Sequence, residues 1–174
     1  GRPTRVGIRQ ALIRAGQLRE LAATNPLDNV ALLRFLLAVW MWCRPRLDAA
    51  DRQRLTDADG VPEDWLTQLG PPDCPHPAFE LLGAGPRFFQ ERSADRKAKT
   101  SPIGVLLIEF PTATKIAHFR HVRDKQYGLC PACCALGLIR HCSFANRPGQ
   151  GYTTSGLNGA TPAYGLLQGR TLLQ

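Results

Sequence analysis

Cys130, Pro131, Ala132 and Cys133 form a C-x-x-C tetrad, the spacing that lets two thiolates meet one tetrahedral zinc ion from a tight turn. Such an ion takes four ligands, and Cys134, His141 and Cys142 follow closely. If residues 134–142 are helical, His141 and Cys142 point away from the knuckle, and the second ligand pair is expected beyond Gln174. Two other chemistries fit the same residues. They would be inert as small buried thiols. A redox pair would need the tetrad at a helix start after a strand, in a thioredoxin-like βαβ unit, and the polar basic segment before Cys130 does not supply that strand.

Upstream, TKIAHFRHVRDKQYG interleaves Lys115, His118, Arg120, His121, Arg123 and Lys125 with Phe119 and Tyr127. Cations neutralise phosphates and aromatic rings stack on unpaired bases, the combination that single-stranded RNA recognition uses. The competing reading is a solvated turn with one aromatic tucked into the core. Arg92, Arg96, Lys97 and Lys99 form a second basic loop open to phosphate contact or to plain solvation. Downstream, NRPGQGYTTSGLNGATP places Gly149, Gln150, Gly151 and Tyr152 at the head of a run that also holds Gly156 and Gly159. Without a Cβ, such a backbone approaches a sugar-phosphate or a groove floor closely, although ordinary hairpin turns use glycine too. No G-K-[S/T] follows, so it is not a nucleotide-binding P-loop.

Catalysis finds little support. HExxH and GxSxG are absent, and the acids are scattered: Asp57 and Asp59 in a turn, Glu63 and Asp64 at a helix start, where they balance the helix dipole. His76 lies among prolines, and His118 and His121 have no carboxylate companion suited to general-base work.

The whole chain sets the context for these residues. Its 174 residues can bury a core without staples, and 22 Lys and Arg against 14 acids give +8, a balance suited to a polyanionic partner. Four of six cysteines crowd between positions 130 and 142, which favours reduced thiols and a metal site in a cytoplasmic protein over a disulfide scaffold. The basic N-terminus has no adjoining apolar segment of the signal-peptide kind. The longest apolar stretch, Val30 to Cys43, contains Arg34 and reads as a buried helix too short to span a bilayer, so no membrane partner is expected. The abrupt ends suggest a piece of a longer protein.

The elements that must position the chemistry follow from periodicity. Apolar residues from Gly7 to Ala23 recur at three and four, predicting an amphipathic helix, and a second helix should follow the NPLD turn. Asp48–Thr56 predicts a short charged helix, and Val61–Leu69 another with proline in its first turn. GPPDCPHPAFE, rich in proline, marks a boundary. Beyond it, PRFFQ and IGVLLIEF (Ile103–Phe110) predict strands, and Cys130–Phe144 a helix. The expected class is α+β: N-terminal helices packed on a small mixed sheet, with residues 1–70 mainly helical, 71–129 strands and basic loops, and 130–174 the knuckle and glycine-loop region.

Taken in order, RVGIRQALIRAGQLRELAATNPLDNVALLRFLLAV, then VPEDWLTQL with FELLGAGPRFFQ, then PTATKIAHFRH, then CPACCALGLIRHCSFANRPGQGYTTSGLNGATP with GRTLLQ, resemble the N-terminal domain of the CasA family. CasA is the large subunit of the type I-E CRISPR surveillance complex Cascade. The resemblance covers nearly the whole chain, and its last block is the most specific. It implies a partial N-terminal domain over residues 1–174, without the family's C-terminal four-helix bundle. It also implies a non-catalytic role: reading the protospacer-adjacent motif on double-stranded DNA, aiding duplex opening for the guide RNA, and recruiting a separate helicase-nuclease. By the same resemblance Gly149, Gln150, Gly151 and Tyr152 meet the DNA minor groove, and the segment from Thr112 to Arg123, with Lys115, His118, Phe119, Arg120 and Arg123, meets the crRNA and neighbouring subunits. Cys134 is an extra thiol beside the family's C-P-x-C. The alternatives are a zinc-stabilised RNA- or protein-binding module of another ribonucleoprotein and a small thiol enzyme.

Overall fold

Asn25 starts the longest helix of the chain. Its side-chain oxygen accepts the N–H of Leu27 at 2.9 Å, Pro26 follows at the first helical position, and α2 then runs over Pro26–Cys43. The computed structural model describes residues 2–90, 103–107, 128–144 and 169–173. They fall into two compact units, one of Gly1–His76 with Tyr164–Gln174 and the other of Pro77–Ala163.

In the first unit α2 carries apolar residues around most of its circumference, although only 28% of it is buried. It is 18 residues long and apolar enough, by length and composition alone, to cross a membrane. Instead it packs on α1 (Ile8–Ile13) and on a 3₁₀ segment, Glu63–Leu69, with Ala31, Phe35, Leu36, Val39 and Cys43 buried. Leu37, Met41 and Trp42 stay exposed. Between these elements α3 (Ala49–Asp57) is fixed by a reciprocal cap: the N–H of Asp51 donates to Asp48 Oδ1 at 2.7 Å, and the Asp51 carboxylate accepts the Asp48 N–H at 3.4 Å. Asp51 also takes Arg44 Nε at 3.0 Å. The Arg44 and Arg54 guanidiniums lie 5.2 Å and 5.7 Å from the ring centre of buried Trp65, and Arg54 grips Asp64 with two bonds of 2.9 Å and 2.7 Å. Asp64 thus answers a specific arginine as well as a helix dipole.

The helix predicted over Gly7–Ala23 stops at Ile13 because the chain gives its next polar groups to other segments. Leu12 O accepts the N–H of Val61 at 3.0 Å, and Gly16 N–H donates to Asp59 O at 2.6 Å. The two backbones lie so close that a Cβ at Gly16 would strike the Asp59 carbonyl, and one at Gly60 the Ile13 carbonyl. Leu172 and Leu173 then donate their N–H groups to Leu18 O and Ala15 O at 2.8 Å and 3.2 Å, tying the C-terminal residues to the same turn.

The second unit corrects the expected fold class. Among the described residues there is no strand and no sheet, only one isolated antiparallel bridge between Arg87 and Gln90. The PRFFQ run expected as a strand closes on itself instead. Phe89 takes a left-handed φ of 52°, the Phe88 N–H donates to Glu80 O at 2.7 Å, and the Gln90 side chain donates to Leu81 O at 2.9 Å. Phe88 is buried against Phe79 and Phe89, with ring centres 6.3 Å and 4.8 Å away. The start of the second expected strand, Ile103–Leu106, is a 3₁₀ turn packed on α4 (Pro131–Phe144). It meets α4 at Gly137, where a Cβ would come within 2.9 Å of Leu106 Cβ. Local hydrogen bonds and one helix face thus do what a sheet was expected to do; residues 108–110 of that prediction lie outside the described residues.

Candidate functional site

Helix α4 begins on a sulfur. Cys130 O accepts the Cys134 N–H at 2.9 Å, the first bond of the helix, which makes Cys130 its N-cap and Pro131 its first residue. Cys130 Sγ accepts the Cys133 N–H at 3.3 Å, the position where serine or aspartate usually caps a helix. Both thiols are exposed. The Cys133 N–H, and then the Cys133 thiol, pull the Cys130 thiol below its ordinary range, while the bond to Cys130 pushes the Cys133 thiol up. Cys134 faces elsewhere, its thiol 3.7 Å from Leu129 O.

Two adjacent thiols on one turn, with a backbone N–H aimed at sulfur, suit two of the four positions around zinc. His141 and Cys142 do not complete the set. Both are on α4, eight and nine residues past Cys133, so they lie about 12 Å or more along the helix axis. Among the described residues no group of three or more His, Cys, Asp or Glu is placed to hold a metal ion. His141 has its own peculiarity: its Nδ1 is buried with no hydrogen-bond partner among the described residues, and burial holds its pKa below the usual histidine value.

Helix α4 also changes the terms of the redox alternative. The tetrad does sit at a helix start, as that chemistry requires, although residues 128–130 before it form no strand. The missed signal was Pro131: directly after Cys130 it marks a first helical position, which makes Cys130 a cap. The residues expected to meet nucleic acid, Lys115, His118, Phe119, Arg120 and Arg123 together with Gly149, Gln150, Gly151 and Tyr152, lie outside the described residues.

Comparison with curated proteins gives no match. The family model for CRISPR-associated protein Cse1 matches residues 1–174, from the first helix through the cysteine tetrad and the glycine run to the last residue. The chain therefore belongs to the Cse1 family, that of the CasA large subunit of Cascade.

Proposed function

We propose that this non-catalytic Cascade-family subunit reads the protospacer-adjacent motif of target double-stranded DNA, aids opening of the duplex and recruits the helicase-nuclease. The observation that carries this reading is the family match across all 174 residues, which takes in the glycine run and the basic aromatic segment in one continuous span. Gly149, Gln150, Gly151 and Tyr152 lie against the minor groove, where the two glycines let the backbone approach the groove floor. The minor groove offers a degenerate pattern, suited to a short, tolerant motif, while guide pairing reads the remaining sequence. Lys115, His118, Phe119, Arg120 and Arg123 contact the crRNA. The charge distribution supports a polyanion there: residues 77–163 hold eleven Lys and Arg against five acids. Cys130 and Cys133 supply two thiolates to a structural zinc, which would bridge the start of α4 to a second ligand pair. The complex works in the prokaryotic cytoplasm.

The deciding measurement is binding of duplexes with randomised flanking bases by the assembled guide-RNA complex, with the natural chain and with Gly151→Asp. A flank preference that disappears in the variant, while the complex still assembles, is the expected result. If affinity follows guide complementarity alone and the variant behaves like the parent, the glycine run is a structural turn and the RNA-binding module takes the place of this reading.

A further inference from the structure

We propose that Arg14, Arg19 and Arg170 form a sequence-independent contact to the phosphate backbone of duplex DNA, on the first unit and apart from the glycine run. Residues 1–19 hold five arginines and no acid, and residues 164–174 hold Arg170 and no acid. The fold joins these two pieces. Arg14 O accepts the Gln17 and Leu18 N–H groups at 2.9 Å and 3.1 Å, closing one helical turn, and Leu18 O accepts the Leu172 N–H at 2.8 Å. Ends of such a turn lie about 6 Å apart, and Arg170, two residues before Leu172, has its Cα at most about 7 Å from it. The three arginines therefore stand within about 20 Å of one another.

Other arginines of the unit are committed to the fold. Arg9 donates to Leu66 O and Gly70 O, Arg44 holds Asp51, and Arg54 grips Asp64. Arg14 commits only its Nε, to Gln17 Oε1 at 3.3 Å, and Arg19 makes no hydrogen bond or ion pair with a described residue. Glu20 adjoins Arg19, and Asp59 gives its carbonyl to the Gly16 N–H, yet no carboxylate among the described residues comes within 4.0 Å of Arg14 or Arg19. The exposed residues of 14–20 and 169–170 are Arg14, Gln17, Arg19, Glu20, Gly169 and Arg170, none of them apolar or aromatic. Unpaired bases take rings to stack on, and a protein partner takes an apolar or aromatic anchor. Phosphates need only cations, and a guanidinium matches two phosphate oxygens at once. About 20 Å of duplex presents about twelve phosphates, so each of the three side chains finds one within reach.

The proposal rests on the family reading of a duplex-binding complex but not on the glycine run, and one titration separates the two. The full-length protein in its guide-RNA complex is titrated with a duplex that has no complementarity to the guide, across a range of salt concentrations. Arg14→Gln, Arg19→Gln and Arg170→Gln should each flatten the dependence of log affinity on log salt by about 0.9, and the triple variant by about 2.7. At 0.1 M salt the triple variant should bind about tenfold or more weakly, by the same factor whatever the flanking bases, while its flank preference on complementary targets persists. Gly151→Asp should do the reverse, losing the preference and keeping the salt slope. Arg46→Gln removes the same charge from an exposed position outside the patch and is the control, and Arg19→Lys should keep the slope. The proposal is overturned if the triple variant keeps the parent's slope, or if Arg46→Gln flattens it as much as Arg19→Gln does. It is also overturned if the triple variant, folded by thermal unfolding, fails to join the guide RNA and its other subunits, which would give the patch to them instead.

Discussion

The backbone N–H of Gly16 donates to the carbonyl oxygen of Asp59 at 2.6 Å, joining the end of α1 to the turn after α3. This approach requires two missing Cβ atoms, since one at Gly16 would meet Asp59 and one at Gly60 would meet the Ile13 carbonyl. Neither obstacle is a side chain that can swing away. Gly60→Ala should therefore destabilise the protein by about 2 kcal/mol, as overpacking against fixed backbone does, and Gly16→Ala by a similar amount. Gly7→Ala is the control, because its added methyl meets nothing within 4 Å. Urea unfolding of the three variants measures this; equal midpoints for Gly7→Ala and Gly60→Ala would refute the close approach.

Arg44 connects two structures at once, the capping box of α3 through Asp51 and the face of Trp65. Asp51 is buried, so removing its arginine leaves a carboxylate with less compensation than it has in the parent. Arg44→Leu should cost about 1–3 kcal/mol, and Asp51→Ala a similar amount, with the double variant costing less than their sum. Tryptophan fluorescence should shift in Arg44→Leu, because Trp65 loses a cation from its face. Additive single and double variants would show that the two residues act independently.

The helical elements of the first unit were legible because capping and periodicity are local. Asn25-Pro26 marks α2, Asp48 with Asp51 marks α3, and the acids after Pro62 mark the next turn. Local signals misled where a distant segment competes for the backbone. The apolar periodicity of residues 7–23 promised a long helix, yet Val61 and Gly16 redirect its hydrogen bonds. PRFFQ and IGVL have strand-like composition, but composition records a preference for half-buried surfaces and not for a partner strand. Phe88 satisfies that preference in a turn, and Leu106 does so against Gly137. At the candidate site, the C-x-x-C spacing was visible in the sequence. The sulfur cap was legible only through Pro131, whose place directly after Cys130 marks the first helical residue, and the C-x-x-C spacing drew attention to metal geometry instead.

His141 gives unfolding a definite pH signature. Burial depresses its folded pKa below that of the unfolded chain, so the unfolded state binds the proton first as pH falls. The contribution to stability is fully present above the unfolded value near 6.5, declines as pH falls through the folded value, and then levels off. His141→Leu removes the titration and the unpartnered Nδ1 together. The urea midpoint of the parent relative to this variant should fall between pH 7.5 and pH 5.5, and a constant difference would place the imidazole in water.

Metal content separates the cysteines by position. Cys130 and Cys133 share one turn, whereas Cys142 lies nine residues further along α4 and Cys134 turns its thiol to Leu129 O. If the pair holds zinc, Cys130→Ser and Cys133→Ser should each lower bound zinc in the full-length protein by tenfold or more, about the loss expected from deleting one of four tetrahedral ligands. Cys134→Ser, Cys142→Ser and His141→Leu should retain it. The zinc-to-protein ratio by elemental analysis reads all five variants, with thermal unfolding alongside to confirm that each is folded. Retention of zinc by both Cys130→Ser and Cys133→Ser would put the metal elsewhere, and loss of zinc from Cys142→Ser would require α4 to bend back on itself, which its unbroken run from Pro131 to Phe144 opposes.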